Sequence, residues 1–213
     1  MNENNDKIFN RLFERYPELE TLKTEILTAG EILKNAGLAG NKILVCGNGG
    51  SAADADHIAG ELLKSFCRKR PLEKKLSENL KKIDTNAGEE LAAKLQDGVQ
   101  AISLTHHTAL LTAFGNDIDP NMAFAQQCHV YGKEGDVFWG ISTSGNAMNV
   151  YLAALTAKAK GLKIIGMTGK DGGKLKAICD VCITVPRLET YEAQELHLPV
   201  YHALCFYVEE SLW

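Results

Sequence analysis

Residues 45–51, with the sequence VCGNGGS, have the composition of a site for a phosphate group. The pattern predicts a strand end, a glycine turn and then a helix. Glycine lets backbone N–H groups approach an oxyanion, the helix start carries partial positive charge, and Ser51 is both a good N-cap and a hydroxyl donor. The segment therefore predicts an anion site. The turn would contribute Asn48, Gly49 and Gly50 to this binding site.

The helix predicted after this turn carries groups that can transfer protons. His57 and Glu61 are four positions apart, so they lie on the same face of that helix. An imidazole and a carboxylate beside a phosphate cradle can exchange protons with a bound substrate or hold a metal ion. We therefore expect a phosphorylated substrate whose reaction needs one of the two.

A second loop has the same features. Ser142, Thr143 and Ser144 follow a predicted strand and precede a helical pattern over residues 147–160. Three hydroxyl groups at a helix start can donate short hydrogen bonds to a phosphate. The alternative is an ordinary serine-rich N-cap. Two such loops at one edge of a sheet favour a phosphorylated ligand.

The last predicted helix, over residues 191–211, places polar side chains among apolar ones. Gln194 and His202 are eight positions apart, which corresponds to a rise of about 12 Å. They can share one ion only through long side chains, a bend at Pro199 or a contribution from another subunit. For His202 alone, a hydrogen-bonded core histidine is the simpler interpretation. A site requires that His57 and Glu61 face it.

Two further segments have turn chemistry. Asn116 and Asp117 follow Phe114-Gly115 and predict a turn near the strand ends, where their side chains can bind sugar hydroxyls. Residues 168–174, TGKDGGK, lack one residue of the Walker A spacing, and Leu175 stands where Ser or Thr would hold magnesium. We expect a strand-to-helix turn there rather than ATP binding.

The elements that carry these residues alternate along the chain. Short apolar runs predict strands, and longer helical patterns separate them. The predicted strands are residues 42–46, 101–105, 136–141, 163–167 and 181–185. Before them, residues 7–36 have helical periodicity, interrupted by Pro17 and closed by Gly37. This order predicts an α/β fold whose parallel sheet is covered on both faces, with the glycine-rich strand ends at one edge.

Residues 67–100 interrupt the alternation. They begin with a basic, proline-containing run at 67–75 and continue as a polar helical pattern. We predict one domain over residues 1–213, with a helical N-terminal segment at 1–36 and an inserted helical excursion at 67–100. The basic run predicts a solvated face; contact with substrate or a neighbouring subunit is the alternative.

Composition excludes several classes of protein. The 213 residues carry a formal net charge of −4 without a basic stripe, which argues against nucleic-acid binding. The amino terminus is polar, and no apolar run approaches the roughly 20 residues of a membrane span. We therefore expect a cytoplasmic protein without membrane contact. The six cysteines lack the spacing of a secreted scaffold and predict reduced thiols.

Taken together, these motifs resemble the sugar isomerase (SIS) domain family, and within it the phosphoheptose isomerases. The motifs that carry the resemblance are CGNGGS at 46–51, His57 with Glu61, GND at 115–117, GISTSGN at 140–146, TGKDGG at 168–173, and Gln194 with His202. The resemblance implies a three-layer α/β sandwich with a central, mainly parallel, five-stranded sheet flanked by helices.

The resemblance also implies a chemistry. It implies an aldose–ketose isomerisation of sedoheptulose 7-phosphate to glycero-manno-heptose 7-phosphate through an enediol(ate), with Glu61 as base and His202 as acid. One zinc ion per active site would bind His57, Glu61, Gln194 and His202, in sites at the subunit interfaces of a homotetramer. The implied phosphate ligands are Ser51, Ser142, Thr143 and Ser144; the implied sugar contacts include Asn48, Asn116 and Asp117, with Gly49, Gly50, Glu61 and Gln194 completing the substrate site.

Three departures leave alternatives open. Ala147, Tyr191 and Ser65 stand where the family carries a serine, an acidic residue and an arginine. Together with the 67–100 excursion, they keep open an isomerase of a different sugar phosphate. A non-catalytic SIS protein that binds the replication initiator DnaA or senses sugar phosphates is the other alternative. The presence of all four implied zinc ligands favours the enzyme.

Overall fold

The fold is built on one parallel sheet. A computed structural model describes residues 3–213, and its five strands are β1 (Ile43–Cys46), β2 (Ala101–Ser103), β3 (Val137–Ser142), β4 (Lys163–Thr168) and β5 (Val181–Thr184). Their order is β2-β1-β3-β4-β5, and every neighbouring pair is parallel. The strand ends at 46, 103 and 142 therefore open at the same edge of the sheet.

Helices account for most of the remaining chain. In the described residues they are α1 (Glu3–Arg15), α2 (Lys23–Leu38), α3 (Gly50–Leu63), α4 (Lys74–Ile83), α5 (Thr85–Lys94), α6 (Thr108–Asp117), α7 (Ala123–Tyr131), α8 (Met148–Ala159), α9 (Gly173–Lys176) and α10 (Thr190–Leu212). Short 3₁₀ helices occupy Pro17–Leu22 and Pro120–Met122.

Helices cover both faces of the sheet. Ile43 and Val45 pack with α1, α2, α3 and α10 in one core cluster, whereas Leu44 and Cys46 pack with α7 and α8 in the other. Successive side chains of a strand point to opposite faces, so one buried strand contributes to both cores. The predicted three-layer α/β sandwich with a five-stranded parallel sheet is confirmed.

The N-terminal helices differ in detail from the prediction. α1 ends at Arg15, just before Pro17, as the proline predicts. α2 continues through Gly37 to Leu38, so Gly37 does not close it. Residues 1 and 2 of the predicted N-terminal segment lie outside the described residues.

The segment at 67–100 contains a hairpin of two helices. α4 and α5 pack against each other, α4 has no buried residue, and the only buried residue of α5 is Gly88. Pro71 and Gln96 pair as an antiparallel bridge at the base of the hairpin. The expectation of a solvated basic run is wrong for Arg70, which is only 1% exposed, because it forms an ion pair inside the protein.

No helix in the described part of the chain is both long enough and apolar enough to span a lipid bilayer.

Candidate functional site

The first glycine loop connects β1 to α3. Gly49 has a φ of 56°, a left-handed conformation that favours glycine, and α3 begins at the next residue. Ser51 is therefore the second residue of the helix and is buried, so the prediction that it is the N-cap is wrong. Its hydroxyl instead lines a cavity at the start of α3, where the partial positive charge of the helix terminus favours an anion.

The second loop faces the same cavity. The N-cap of α8 is Ala147, whose side chain makes no capping hydrogen bond. The hydroxyl oxygens of Ser142 and Ser144 accept the backbone N–H groups of Ala147 at 3.4 Å and Asn146 at 3.2 Å, so they order the loop before the helix, and their O–H groups can still donate to a ligand. The cavity has a volume of about 140 Å³ and is lined by Asn48, Ser51, Ile141, Ser142, Thr143, Ser144, Ala147, Thr190 and Gln194.

The glycine turn at 168–173 supports this second loop. The N–H of Gly169 donates to the carbonyl of Thr143 at 2.9 Å, and the N–H of Leu175 donates to the carbonyl of Gly145 at 2.9 Å. A Cβ at Gly145 would lie 1.9 Å from the carbonyl oxygen of Gly172, so the two loops touch through their backbones. The predicted strand-to-helix turn is confirmed, and its structural role is to hold the hydroxyl loop in place.

Asn48 is fixed by a residue that the sequence analysis did not identify. The side-chain amides of Asn48 and Asn149 exchange two hydrogen bonds, each 2.9 Å long. Asn149 lies in the first turn of α8, so this pair joins the two loops. Its position just after the hydroxyl loop, at the start of the next helix, could have indicated that Asn149 lies near the first loop.

Two helices position the remaining site residues. A Cβ at Gly50 would lie 2.6 Å from Nε2 of Gln194, and Nδ1 of His57 lies 3.0 Å from the hydroxyl of Tyr201. From the first contact to the second, the residue on α3 changes from Gly50 to His57 and the residue on α10 from Gln194 to Tyr201, a step of seven positions in each helix. The two helices therefore run side by side in the same direction, and their facing residues lie at two levels about 10 Å apart.

The second level contains the acid–base groups. Nε2 of His57 lies 3.0 Å from Oε1 of Glu61, and the rings of His57 and His202 are 5.0 Å apart. Oε2 of Glu61 and Nε2 of His202 are both buried and have no hydrogen-bond partner in the described residues. Because an unpaired buried polar atom is costly, these two atoms mark a place where a ligand can bind.

The surroundings of this level favour the neutral forms of His202 and Tyr201. Burial, and next the neighbouring His57, lower the pKa of His202, and Glu61 partly opposes them. Burial, followed by the charge of Asp54, raises the pKa of Tyr201. His202 is therefore biased towards the neutral imidazole, which can accept a proton and return it.

Within one chain, three of the four residues implied as zinc ligands meet. His57, Glu61 and His202 come together within one chain, whereas Gln194 lies against Gly50 beside the loop cavity. No group of three or more His, Cys, Asp or Glu side chains within residues 7–213 is arranged as a ready metal site. The orphaned nitrogen of His202 and oxygen of Glu61 are nonetheless donors of the type that zinc accepts.

Asn116 and Asp117 are helical, so the predicted turn at these residues is wrong. They form the last turn of α6 rather than a loop, because the helical pattern of residues 108–117 continues through Gly115. Nδ2 of Asn116 donates to Oδ1 of Asp117 at 2.9 Å, and both residues are exposed. Neither lines the loop cavity.

A polar cluster at the end of β2 was missed as well. Oδ1 of Asp56, on α3, accepts hydrogen bonds from the hydroxyls of Ser103 and Thr105 at 2.5 Å, and Nε2 of His106 lies 3.0 Å away. The sequence position of Asp56, one residue before His57, did not indicate this cluster. The Asp56 side chain points towards β2, away from the face of α3 that carries His57 and Glu61.

The chain belongs to the sugar isomerase domain family. The family description "SIS domain" matches residues 9–93 and 96–169.

Phosphoheptose isomerases are similar to most of the chain. That of Aneurinibacillus thermoaerophilus is 41% identical over 197 residues, or 92% of this chain and 84% of that protein. That of Helicobacter hepaticus is 38% identical over 203 residues, or 95% and 90%. The solved phosphoheptose isomerase of Neisseria gonorrhoeae superposes with a TM-score of 0.73 at 33% identity, over 95% of each chain. The chain is accordingly an isomerase.

Proposed function

We propose that the protein interconverts an aldose and a ketose phosphate, with sedoheptulose 7-phosphate and glycero-manno-heptose 7-phosphate as the pair. Its similarity to phosphoheptose isomerases supports a sugar phosphate isomerase. The observation that carries the proposal is the pair of buried, unpartnered atoms, Oε2 of Glu61 and Nε2 of His202, at the second level of the α3–α10 pair.

The loop cavity supports a phosphate-binding role. Ser51, Ser142, Thr143 and Ser144 surround it with hydroxyl groups, and the start of α3 adds the partial positive charge of a helix N-terminus. A phosphate held there contributes binding energy far from the reacting carbons, which fixes the rest of the sugar in place. The rise of about 10 Å between the two levels suits an extended sugar whose phosphate is at the far end from its carbonyl.

The reaction requires a base and an acid near C1 and C2. Starting from the ketose, Glu61 removes a proton from C1. The electron pair of the C1–H bond forms the C1–C2 double bond of an enediolate, and the negative charge moves to O2. His202 then moves the hydroxyl proton between O1 and O2, and Glu61 returns its proton to C2 to complete the aldose. The contact from Nε2 of His57 orients Glu61 and leaves Oε2 free for this transfer.

A zinc ion fits the donor chemistry of the second level. His57, Glu61 and His202 would hold it, and the fourth ligand that the resemblance implies, Gln194, would come from a neighbouring subunit, because within one chain it lies at the other level. When bound, such an ion supplies positive charge that stabilises an enediolate.

The assembly and location that go with this proposal are a homotetramer in the cytoplasm. Leu63 on α3 and Leu198 on α10, next to the site, are 53% and 41% exposed, and burial of such side chains favours subunit contacts. Sedimentation velocity measures the number of subunits directly; a monomer at micromolar concentration would contradict this part of the proposal.

The test of the catalytic assignment is proton exchange. The protein is incubated with sedoheptulose 7-phosphate in deuterated water, and NMR measures deuterium at C1 and C2. We expect exchange in the wild type, and a loss of about 100-fold or more in both Glu61→Gln and His202→Ala, because general acid–base groups contribute that much.

Binding of the sugar phosphate is measured alongside, because the cavity hydroxyls remain in both variants. Unchanged exchange in both variants would overturn the assignment. A wild type that binds sugar phosphates without exchange would indicate the non-catalytic alternative. Exchange with another sugar phosphate in place of the heptose would identify a different substrate.

A further inference from the structure

Arg70 and Glu209 form a buried ion pair behind the acid–base level. Nε of Arg70 lies 2.7 Å from Oε1 of Glu209, and both side chains are 0% exposed. We propose that this pair, which we term the Arg70–Glu209 clamp, is a positioning element that fixes Glu61 relative to His202. The proposal rests on the isomerase function proposed above.

Arg70 holds the end of the helix that carries Glu61. Its Nη1 donates to the carbonyl of Leu62 at 2.8 Å, and its Nη2 donates to the carbonyl of Glu61 at 3.0 Å. The last carbonyls of a helix have no partner within it and carry partial negative charge. The fork of a guanidinium can bind two carbonyls and one carboxylate together. The backbone of Glu61 is therefore bonded directly to the clamp.

Glu209 holds the loop that leaves this helix. Its carboxylate accepts the backbone N–H groups of Phe66 at 2.8 Å, Cys67 at 2.7 Å and Arg68 at 2.9 Å. Three consecutive N–H groups around one anion fix the course of a backbone segment. Because Glu209 belongs to α10, the path of the chain after α3 is fixed to that helix.

The same loop also reaches His202. The ring of Phe66 lies 5.6 Å from the ring of His202, and both residues line a cavity of about 340 Å³. Glu209 follows His202 by seven positions, two turns along the same face of α10. The clamp is thus bonded to the backbone of Glu61 on one side, and on the other side to the residue that packs on His202.

A stability role alone does not account for this arrangement. An apolar pair of similar volume often stabilises a protein as well as a buried ion pair does, because both charges lose their hydration. The clamp instead supplies directional bonds to the end of α3 and to the loop that follows it. A displacement of about 1 Å in a site of this kind can cost about 100-fold in rate.

The chain contains a matched control at the opposite edge of the sheet. Asp136 is 2% exposed, and its carboxylate accepts the backbone N–H groups of Lys42 at 2.8 Å and Lys133 at 2.9 Å. Nζ of Lys42 lies 2.7 Å from the same carboxylate. Asp136 immediately precedes β3 and is therefore remote from the strand ends that form the site. Asp136→Asn removes the same kind of buried charge without touching the clamp.

The experiment compares Glu209→Gln and Arg70→Lys with Asp136→Asn in the full-length protein. Urea unfolding measures the stability of each variant, and initial rates with sedoheptulose 7-phosphate give kcat and KM. We expect Glu209→Gln to lower kcat at least about tenfold, with KM and the affinity for inorganic phosphate within about twofold of wild type. Arg70→Lys, which keeps the charge but loses the fork, gives an intermediate kcat and is decisive if Glu209→Gln does not fold.

Asp136→Asn should lower the urea midpoint while leaving kcat within about twofold of wild type. A kcat that stays at the wild-type value in a folded clamp variant, or that falls equally in Asp136→Asn, would overturn the positioning role.

A second readout does not depend on activity. With ¹⁵N-histidine labelling, NMR should show that the imidazole signals of His57 and His202 move in the clamp variants but not in Asp136→Asn. Unmoved imidazole signals contradict the clamp even if the wild type isomerises no sugar phosphate. Moved signals in an inactive protein support the clamp while the proposed function fails.

Discussion

Gly50 and Gln194 illustrate how single residues connect the two helices of the site. Gly50 is the first residue of α3, and the side chain of Gln194 on α10 occupies the space that a Cβ at Gly50 would need. Gln194 in turn lines the loop cavity with the hydroxyl residues. At this scale the absence of a side chain at one residue sets the position of a polar group at another.

Gly50→Ala should therefore affect ligand binding rather than folding. The added methyl group would lie 2.6 Å from Nε2 of Gln194, so the flexible Gln194 side chain moves and disturbs the cavity. We expect affinity for a sugar phosphate, measured by calorimetry, to fall about tenfold, or about 1.4 kcal/mol. Gly60→Ala is the matched control in the same helix, because a Cβ there has nothing within 4 Å. Equal affinities in the two variants would contradict the role of Gln194 in the cavity.

Among the elements, α3 and α10 form the site, whereas α4 and α5 stand apart from it. The parallel course of α3 and α10 brings Tyr201 to His57 and carries Glu209 to the end of α3. The α4–α5 hairpin buries only Gly88, and its base is closed by the bridge between Pro71 and Gln96. The base of the hairpin, and not its helices, continues into the loop of residues 66–68 that Glu209 binds.

Removal of the hairpin helices should consequently leave the body of the protein folded. In the variant, residues 72–95 are replaced by Asn-Gly, a two-residue turn that suits an antiparallel pair. We expect the unfolding free energy, measured by urea denaturation, to change by no more than about 1 kcal/mol, because little core is lost. A loss of several kcal/mol would show that the hairpin packs on the body. A loss that grows on dilution would instead indicate a subunit contact.

For the whole molecule, the sheet edge determines where function is found. The strands β1 and β3 deliver their loops to one cavity, and the supporting turn after β4 adjoins them. α10 is attached to the same edge, because Nε2 of His197 donates to the carbonyl of Thr168 at 3.2 Å. His197 is completely buried, and burial, opposed by that hydrogen bond, lowers its pKa to about 4.

This histidine predicts a loss of stability in acid. In the unfolded chain its pKa is close to 6.5, so between about pH 6.5 and pH 4 the unfolded state binds a proton that the folded state excludes. Stability therefore falls as the pH falls through that window, by roughly 3 kcal/mol from this group. Urea denaturation at several pH values should show a shallower dependence in His197→Gln than in wild type. The exposed His129→Gln is the control; a curve for His197→Gln parallel to wild type would contradict the assignment.

The sequence by itself determined the features that arise from short-range patterns. Alternating apolar runs and helical patterns specified the α/β sandwich, because strand and helix periods are local. The glycines and hydroxyls at 46–51 and 142–146 specified two loops that face one cavity, because parallel strands deliver their carboxyl ends to one edge. The spacing of His57 and Glu61 specified their contact, because residues four apart on a helix are neighbours.

Only the tertiary structure decided the contacts between distant segments. The register of α3 against α10 brings His202 to His57 and sends Gln194 to Gly50, and no local pattern encodes such a register. Arg70 came from a run that reads as solvated, yet it is buried because Glu209, 139 positions later, neutralises it. Asn116 and Asp117 lie on a helix because the helical pattern around Gly115 outweighs its turn propensity. Side-chain packing over long sequence separations sets these outcomes, and composition and spacing do not report it.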